Sequence, residues 1–155
     1  MQTQYMRRAI EIAKEGMLSG KGGLFGCVIV KGGQIIGEGS NSVTSTNDPT
    51  AHAEIVGIRN ACRTLNSFQL EECEIYTSCE PCPMCLGAIY WARPSKVWYA
   101  CTHEDAAAIV FDDKFIYDEL KLKPQDRHIP FSQILREEAL VVFKMWCEKS
   151  DKVRY

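Results

Sequence analysis

A proline between two cysteines fixes more of the local geometry of this chain than any other residue in it. In Glu80-Pro81-Cys82-Pro83-Met84-Cys85, Pro83 lacks the N–H that an interior helical position must donate, yet suits the first position of a helix, where that N–H has no partner in any case. The segment therefore opens a helix with Cys82 at its cap and Cys85 one turn on, so that the sulfurs share a face. The positive end of the helix dipole favours thiolate over thiol, and thiolate is the form that binds metal. A second segment, Thr50-Ala51-His52-Ala53-Glu54, opens another helix and offers the imidazole of His52 as a third donor. Two sulfurs and one nitrogen make a zinc set whose fourth position stays open to water, as in a catalytic rather than a closed structural site. Zinc is redox-inert and brings the pKa of its water to about 7, so hydroxide is available at neutral pH. Glu54 receives that proton if the helix start turns its carboxylate into the same cavity.

Strand-like and helical stretches alternate around these segments. Met6, Ala9, Ile10, Ala13 and Met17 recur at helical spacing, and Gly16, Gly20, Gly22 and Gly23 interrupt it, which predicts an amphipathic opening helix. Residues 25–30 and 34–38 are strand-like and flank Lys31-Gly32-Gly33, whose paired glycines supply the positive φ of a tight hairpin turn. Further on, residues 39–49 read as a polar loop, 51–63 as a helix, 74–77 as a strand, 83–91 as a helix and 96–100 as a strand. A helix over 103–108, an acidic turn at Asp112-Asp113, a short strand over 131–135 and a helix over 137–148 complete the pattern. Such alternation implies an α/β layer structure. Without repeats, low-complexity tracts or linkers, residues 1–155 are expected to form a single domain.

Composition narrows the function. Hydrophobic residues at 46% and charged residues at 25% are ordinary globular proportions, enough for a core. A formal charge of -2, with no dense basic block, argues against nucleic acid as partner and for a small molecule. The apolar stretches are strand-sized, far short of the roughly 20 residues of a bilayer span. Arg7, Arg8, Glu11, Lys14 and Glu15 interrupt the N-terminal apolar positions, so no secretory signal is read and a cytoplasmic location is expected. In a reducing compartment the eight cysteines are core residues or metal ligands rather than disulfides. Cys27 and Cys62 fall on apolar faces, and Cys73, Cys101 and Cys147 lack ligand-like spacing, so all five read as packing residues.

Three other readings stay open at this point. Cys82 and Cys85 also satisfy a redox Cys-x-x-Cys pattern, although the His-x-Glu upstream has no place in that chemistry. Cys79, three residues before Cys82, is an available fourth ligand that would close the zinc site; we read it as a packed residue, because it precedes Pro81 and need not follow the direction of Cys82 and Cys85. A non-catalytic zinc module would have no use for Glu54. His103 and His128 read as surface or hydrogen-bonded histidines.

Together, His52-Ala53-Glu54 and Pro81-Cys82-Pro83-Met84-Cys85 match the H-x-E and P-C-x-x-C signature of zinc nucleobase deaminases. The chain resembles the cytidine-deaminase-like superfamily, and within it the short bacterial guanine deaminases, over essentially its full length. Asn47 to Glu54, Tyr76 to Arg93, Phe111-Asp112-Asp113 and the terminal Tyr155 carry that likeness. The resemblance implies a three-layer α/β/α sandwich around a mixed five-stranded sheet, a homodimer, one Zn2+ per subunit held by His52, Cys82 and Cys85, and conversion of guanine and water to xanthine and ammonia with Glu54 as proton shuttle. It further implies a purine site with Asn41 pairing along the base edge, Asp113 accepting from a ring N–H or the exocyclic amine, Phe25 and Trp91 stacking on the ring, and Ala53 beside His52. Asp112 caps the following turn. In the similar enzymes the C-terminal segment closes over the pocket, which brings in Tyr155, in its own subunit or in the partner's. Ile109-Val110 stand where a smaller residue is expected, and extra bulk there would narrow the pocket. A tRNA adenosine deaminase and a cytosine or nucleoside deaminase share the zinc signature and are the rival enzymes; the former needs a basic surface that this chain lacks.

Overall fold

Gly32 and Gly33 both take positive φ, 56° and 82°, and close a hairpin between strands β1 (Gly26–Lys31) and β2 (Gln34–Ser40). The structure, a computed structural model, describes residues 2–111 and 113–155, so the capping role read for Asp112 lies outside the described residues. The chain divides into two compact units, one ending at Lys114 and the other spanning Phe115–Tyr155. In the first, helix α1 (Gln2–Leu18) precedes the hairpin; α2 (Val43–Thr46), α3 (Ala53–Leu65), β3 (Cys73–Cys79), α4 (Pro83–Ala92), β4 (Lys96–Cys101) and α5 (His103–Ala107) follow.

The sheet has the order β2-β1-β3-β4. β1 pairs antiparallel with both β2 and β3, while β3 and β4 are parallel and joined through α4. Alternation along the strands sorts the core into two sides. Cys27, Ile29, Cys73 and Ile75 pack with Ala53 and Ala61 of α3 and Ile89 and Ala92 of α4. Val28, Val30 and Tyr76 pack with Tyr5, Ala9 and Ile12 of α1. Helices thus cover both faces of a mixed sheet, the three-layer α/β/α arrangement.

Three sequence readings need correction. The sheet has four strands rather than five: residues 131–135 are coil, because a strand exists only where a neighbour pairs with its backbone, and no described segment does so there. The polar stretch before Pro49 is not all loop. Its hydroxyls build the one-turn helix α2, in which Thr46 N–H and Oγ1 and Ser45 Oγ all donate to the Ser42 carbonyl, at 3.0, 2.6 and 3.2 Å. Helix α6 (Lys114–Lys121) occupies a stretch to which the sequence reading assigns no element, and in the second unit α7 (Arg136–Glu148) follows the expected helix.

Gly39 sets how closely α3 lies on the sheet. A Cβ there would stand 2.0 Å from the Ala53 carbonyl oxygen and 2.4 Å from Gly57 N, both rigid backbone atoms. The first turn of α3, which carries His52 and Glu54 at its start, can therefore meet β2 only across a residue without a side chain. Gly39→Ala is expected to destabilise the fold by about 3 kcal/mol through overpacking, read as a lower urea midpoint with unchanged m-value; an unshifted midpoint would show that α3 has room to move away.

Candidate metal centre

His52 and Cys82 hold equivalent places in the fold. Each is the cap residue of a helix, α3 and α4 respectively, in extended conformation (φ −68°, ψ 157° and φ −64°, ψ 168°), and neither side chain caps its own helix. Their carbonyls accept the first helical bonds, from Val56 N and Leu86 N. The side chains are left to converge, and Cys85, fully buried one turn into α4, joins them. His52 Nδ1 stands 3.6 Å from Cys82 Sγ and 3.6 Å from Cys85 Sγ. All three donor atoms lie within 4.8 Å of one another. A tetrahedral zinc with its usual Zn–S and Zn–N bond lengths separates a nitrogen from a sulfur ligand by about 3.6 Å, so the donor set fits that ion. Cys79 is directed elsewhere: its thiol donates to the Thr102 carbonyl at 3.5 Å.

The sulfurs share their proton unequally. A hydrogen bond from Cys85, helped by His52 and by the Cys85 backbone N–H, brings Cys82 down to about 4 against the opposing effect of burial. The same contact, with burial and the nearby Glu54 carboxylate, pushes Cys85 up. His52 is raised mainly by its contact with Cys82. Of the two sulfurs Cys82 is the one favoured as thiolate, and a cation bound there would displace the proton that the pair retains.

Glu54 is 6% exposed. Thr77 Oγ1 donates to its Oε1 at 3.0 Å, and Cys85 Sγ approaches its Oε2 at 3.5 Å. Burial raises its pKa, and these hydrogen bonds only partly offset that. The result is a carboxyl group that holds a proton more readily than a free one, with one oxygen anchored and the other turned to the metal ligands. The sequence reading missed Thr77. It lies on the same side of β3 as Ile75, opposite Cys27 in the register, and strand alternation past Ile75 would have found it. Glu80 was missed as well: it holds His103, with Oε2 2.7 Å from His103 Nδ1.

Asn41 is 6% exposed. Its Oδ1 accepts from Gly23 N at 3.1 Å and from Val43 N at 3.3 Å, so the amide plane is fixed by two loops. Phe25 meets Phe111 edge to face, with ring centroids 5.1 Å apart. The charge of Asp113 adds to the raising of His52, after Cys82 and Glu54. Ala53 is fully buried, its methyl in the core. Trp91 is 64% exposed, on the side of α4 away from the buried line of Cys85, Ile89 and Ala92. Tyr155 belongs to the second unit and is exposed there.

The bulk of Val110 does not enter the first unit's interior, because its side chain is 91% exposed. Its peculiarity lies in the backbone. Phe111 N donates to the Ala106 carbonyl and Val110 N to the Ala107 carbonyl, both at 3.0 Å; this pair of bonds is a Schellman turn after α5, with Val110 at the left-handed position, φ 72°. A small residue suits this position because of its torsion, not because of the pocket, and valine costs about 1–2 kcal/mol there.

Comparison with known proteins agrees with this geometry. Residues 1–101 match the family model described as the cytidine and deoxycytidylate deaminase zinc-binding region. The chain is 54% identical to guanine deaminase of Bacillus subtilis (strain 168) over 151 residues, 97% of each sequence. It superposes on an X-ray structure of guanine deaminase from Bacillus subtilis with a TM-score of 0.98 at 53% identity, covering 100% of this chain and 99% of the other. A tRNA-specific adenosine deaminase of Aquifex aeolicus is 40% identical over 106 residues, 68% of this chain and 70% of its own. With its His-x-Glu and Cys-x-x-Cys segments folded into one three-donor centre, the chain belongs to the zinc-binding cytidine and deoxycytidylate deaminase family.

Proposed function

We propose that the chain is a zinc-dependent guanine deaminase that converts guanine and water to xanthine and ammonia, working as one deaminase domain over residues 1–155. The observation that carries the reading is Glu54, a carboxyl group shielded from water with one oxygen against Cys85 of the donor set, in a chain alike over its whole length to a guanine deaminase. His52 Nδ1, Cys82 Sγ and Cys85 Sγ hold one Zn2+ per subunit. Zinc in that set supplies the Lewis acidity that makes water nucleophilic at neutral pH.

The chain's own residues do the rest. With a cation on the three donors Cys85 would carry no proton, and Glu54 Oε2, which lies 3.5 Å from its sulfur, would be open to accept one from the attacking water. Thr77 keeps Oε1 anchored, so the carboxyl group does not rotate away. As the water oxygen bonds to C2 of guanine, Glu54 delivers the first proton to N3; it then takes the second proton from the new C2 hydroxyl, which becomes the carbonyl of xanthine, and passes it to the amine as the C2–N bond breaks and ammonia leaves. Burial raises the pKa of Glu54, which suits a group that both takes and returns a proton. Asn41, with Oδ1 occupied by Gly23 and Val43, presents its Nδ2 as a donor to the purine edge. Asp113 accepts from the base, and a base that leaves it unpaired in a dry pocket is rejected. Phe25 supports the ring, and Ala53 lies beside it through its backbone.

The finer assembly on this reading is a homodimer whose C-terminal segment, ending at Tyr155, closes the pocket of the partner subunit. Support comes from α7, where Val141, Val142, Phe143, Met145 and Trp146 are all exposed, and from Tyr90 and Trp91 on α4; apolar surface of this extent is normally covered by protein. Trp91 and Tyr155 then meet the substrate across the interface. The location proposed is the cytoplasm, in keeping with eight free thiols, and no helix among the described residues is long and apolar enough to cross a membrane. A tRNA deaminase is less favoured: the relative of that kind matches about two thirds of the chain, and a formal charge of -2 does not suit an RNA loop.

The zinc-loaded protein is expected to release ammonia from guanine and not from guanosine, adenine, cytosine or a tRNA anticodon stem; release from the stem instead would transfer the chain to the RNA-editing branch. Cys82→Ala is expected to lose the ion by metal analysis while Cys79→Ala keeps one per chain, and equal loss in both would mean a closed four-ligand site. Glu54→Gln should keep zinc and lose about 10³-fold or more in kcat, whereas a Gln variant of near-normal kcat would remove the proton-carrying role.

A further inference from the structure

We propose that Glu80 and His103 form a positioning pair that ties the metal-binding loop to the arm carrying Phe111 and Asp113, and so sets affinity for the purine base rather than for the metal. The inference rests on the deaminase reading for its substrate, but its geometry stands apart from that reading. Glu80 precedes Pro81-Cys82, and its Oε2 faces both His103 Nδ1 at 2.7 Å and His103 N at 3.2 Å. The other ring nitrogen, Nε2, is 3.3 Å from Glu104 Oε1, a contact that adds to the anchor only when the imidazole carries both protons. Backbone and thiol contacts run beside it: Glu80 N donates to Cys101 O at 2.8 Å, and Cys79 Sγ to Thr102 O at 3.5 Å. None of these groups belongs to the three-donor set.

The segment after His103 is short and stiff. Thr102 and Asp105 cap α5 reciprocally, the helix spans only His103–Ala107, and the Schellman turn fixes the chain from Ala106 to Phe111. Phe111 then rests on Phe25. The arm is thus anchored at its root by Glu80 and at its tip by an aromatic contact, with Asp113 two residues beyond the tip. Loss of the Glu80–His103 contact removes the side-chain part of the root anchor and loosens the arm that carries Asp113. A half-exposed pair of this kind adds little to global stability, so its effect is separable from unfolding. The bond does not depend on a charged imidazole, since neutral histidine also donates from Nδ1.

The test uses the zinc-loaded full chain with His103→Leu, Glu80→Ala, the double variant and His103→Asn, in which the amide nitrogen replaces the Nδ1 donor. His103→Leu and Glu80→Ala are each expected to raise KM for guanine about tenfold with kcat within about twofold of the parent. The double variant should be no worse than either single one, and His103→Asn should recover most of the loss. Zinc content and urea midpoint should stay at parental values. The readout independent of turnover is amide hydrogen exchange over residues 106–111, expected to speed up in His103→Leu and to return in His103→Asn. Unchanged KM, additive losses, or a fall in zinc content together with kcat would overturn the pair's role. If the parent itself fails to deaminate guanine, the functional reading falls and the exchange measurement alone decides the pair, unchanged exchange refuting it.

Discussion

The 3.6 Å separation of His52 Nδ1 from two cysteine sulfurs is the constraint around which the first unit is arranged. The three atoms come from two helix starts far apart in sequence, so both helices must lie on one side of the sheet with their N-termini adjacent. The antiparallel hairpin brings the chain back along β2 before α3, and the parallel step from β3 through α4 to β4 sets the second helix start at the carboxyl end of β3. Gly39 lets α3 sit flush, and the apolar side chains shared by α3, α4, β1 and β3 lock the pair. The helix dipoles then point their positive ends at the sulfurs, so the scaffold that fixes position also favours thiolate.

Glu54 shows how one position serves both packing and chemistry. A carboxyl group buried without partners would oppose folding, and Thr77 answers one oxygen from the strand beneath. The remaining oxygen faces Cys85, a partner that disappears as a donor once its sulfur holds a cation. The polar interior of the site is therefore answered from the strand on one side and from a metal-ligand sulfur on the other.

Much of this was legible in sequence because local chemistry decided it. Pro83 at the first helical position, the glycine pair of the hairpin and the spacing of His52, Glu54, Cys82 and Cys85 act within a few residues, and the helices and strands they predict are present with shifts of one or two residues. The features that stayed hidden depended on distant partners. Residues 131–135 have apolar β-formers but no strand to pair with. Thr77 and Glu80 draw their roles from Glu54 and His103, each 23 residues away. The helix α2 arises from hydroxyls closing on one carbonyl, which composition reads only as polarity.

Val110 shows where geometry and residue type part company. Its torsion is dictated by two hydrogen bonds of neighbouring residues, while its own side chain touches almost nothing. A substitution at this position would therefore act on the stiffness of the whole turn through the main chain. Drift at position 110 among natural variants would tune how long the recognition arm dwells in its working shape, leaving the chemistry of the centre and the identity of every contacting group as they are.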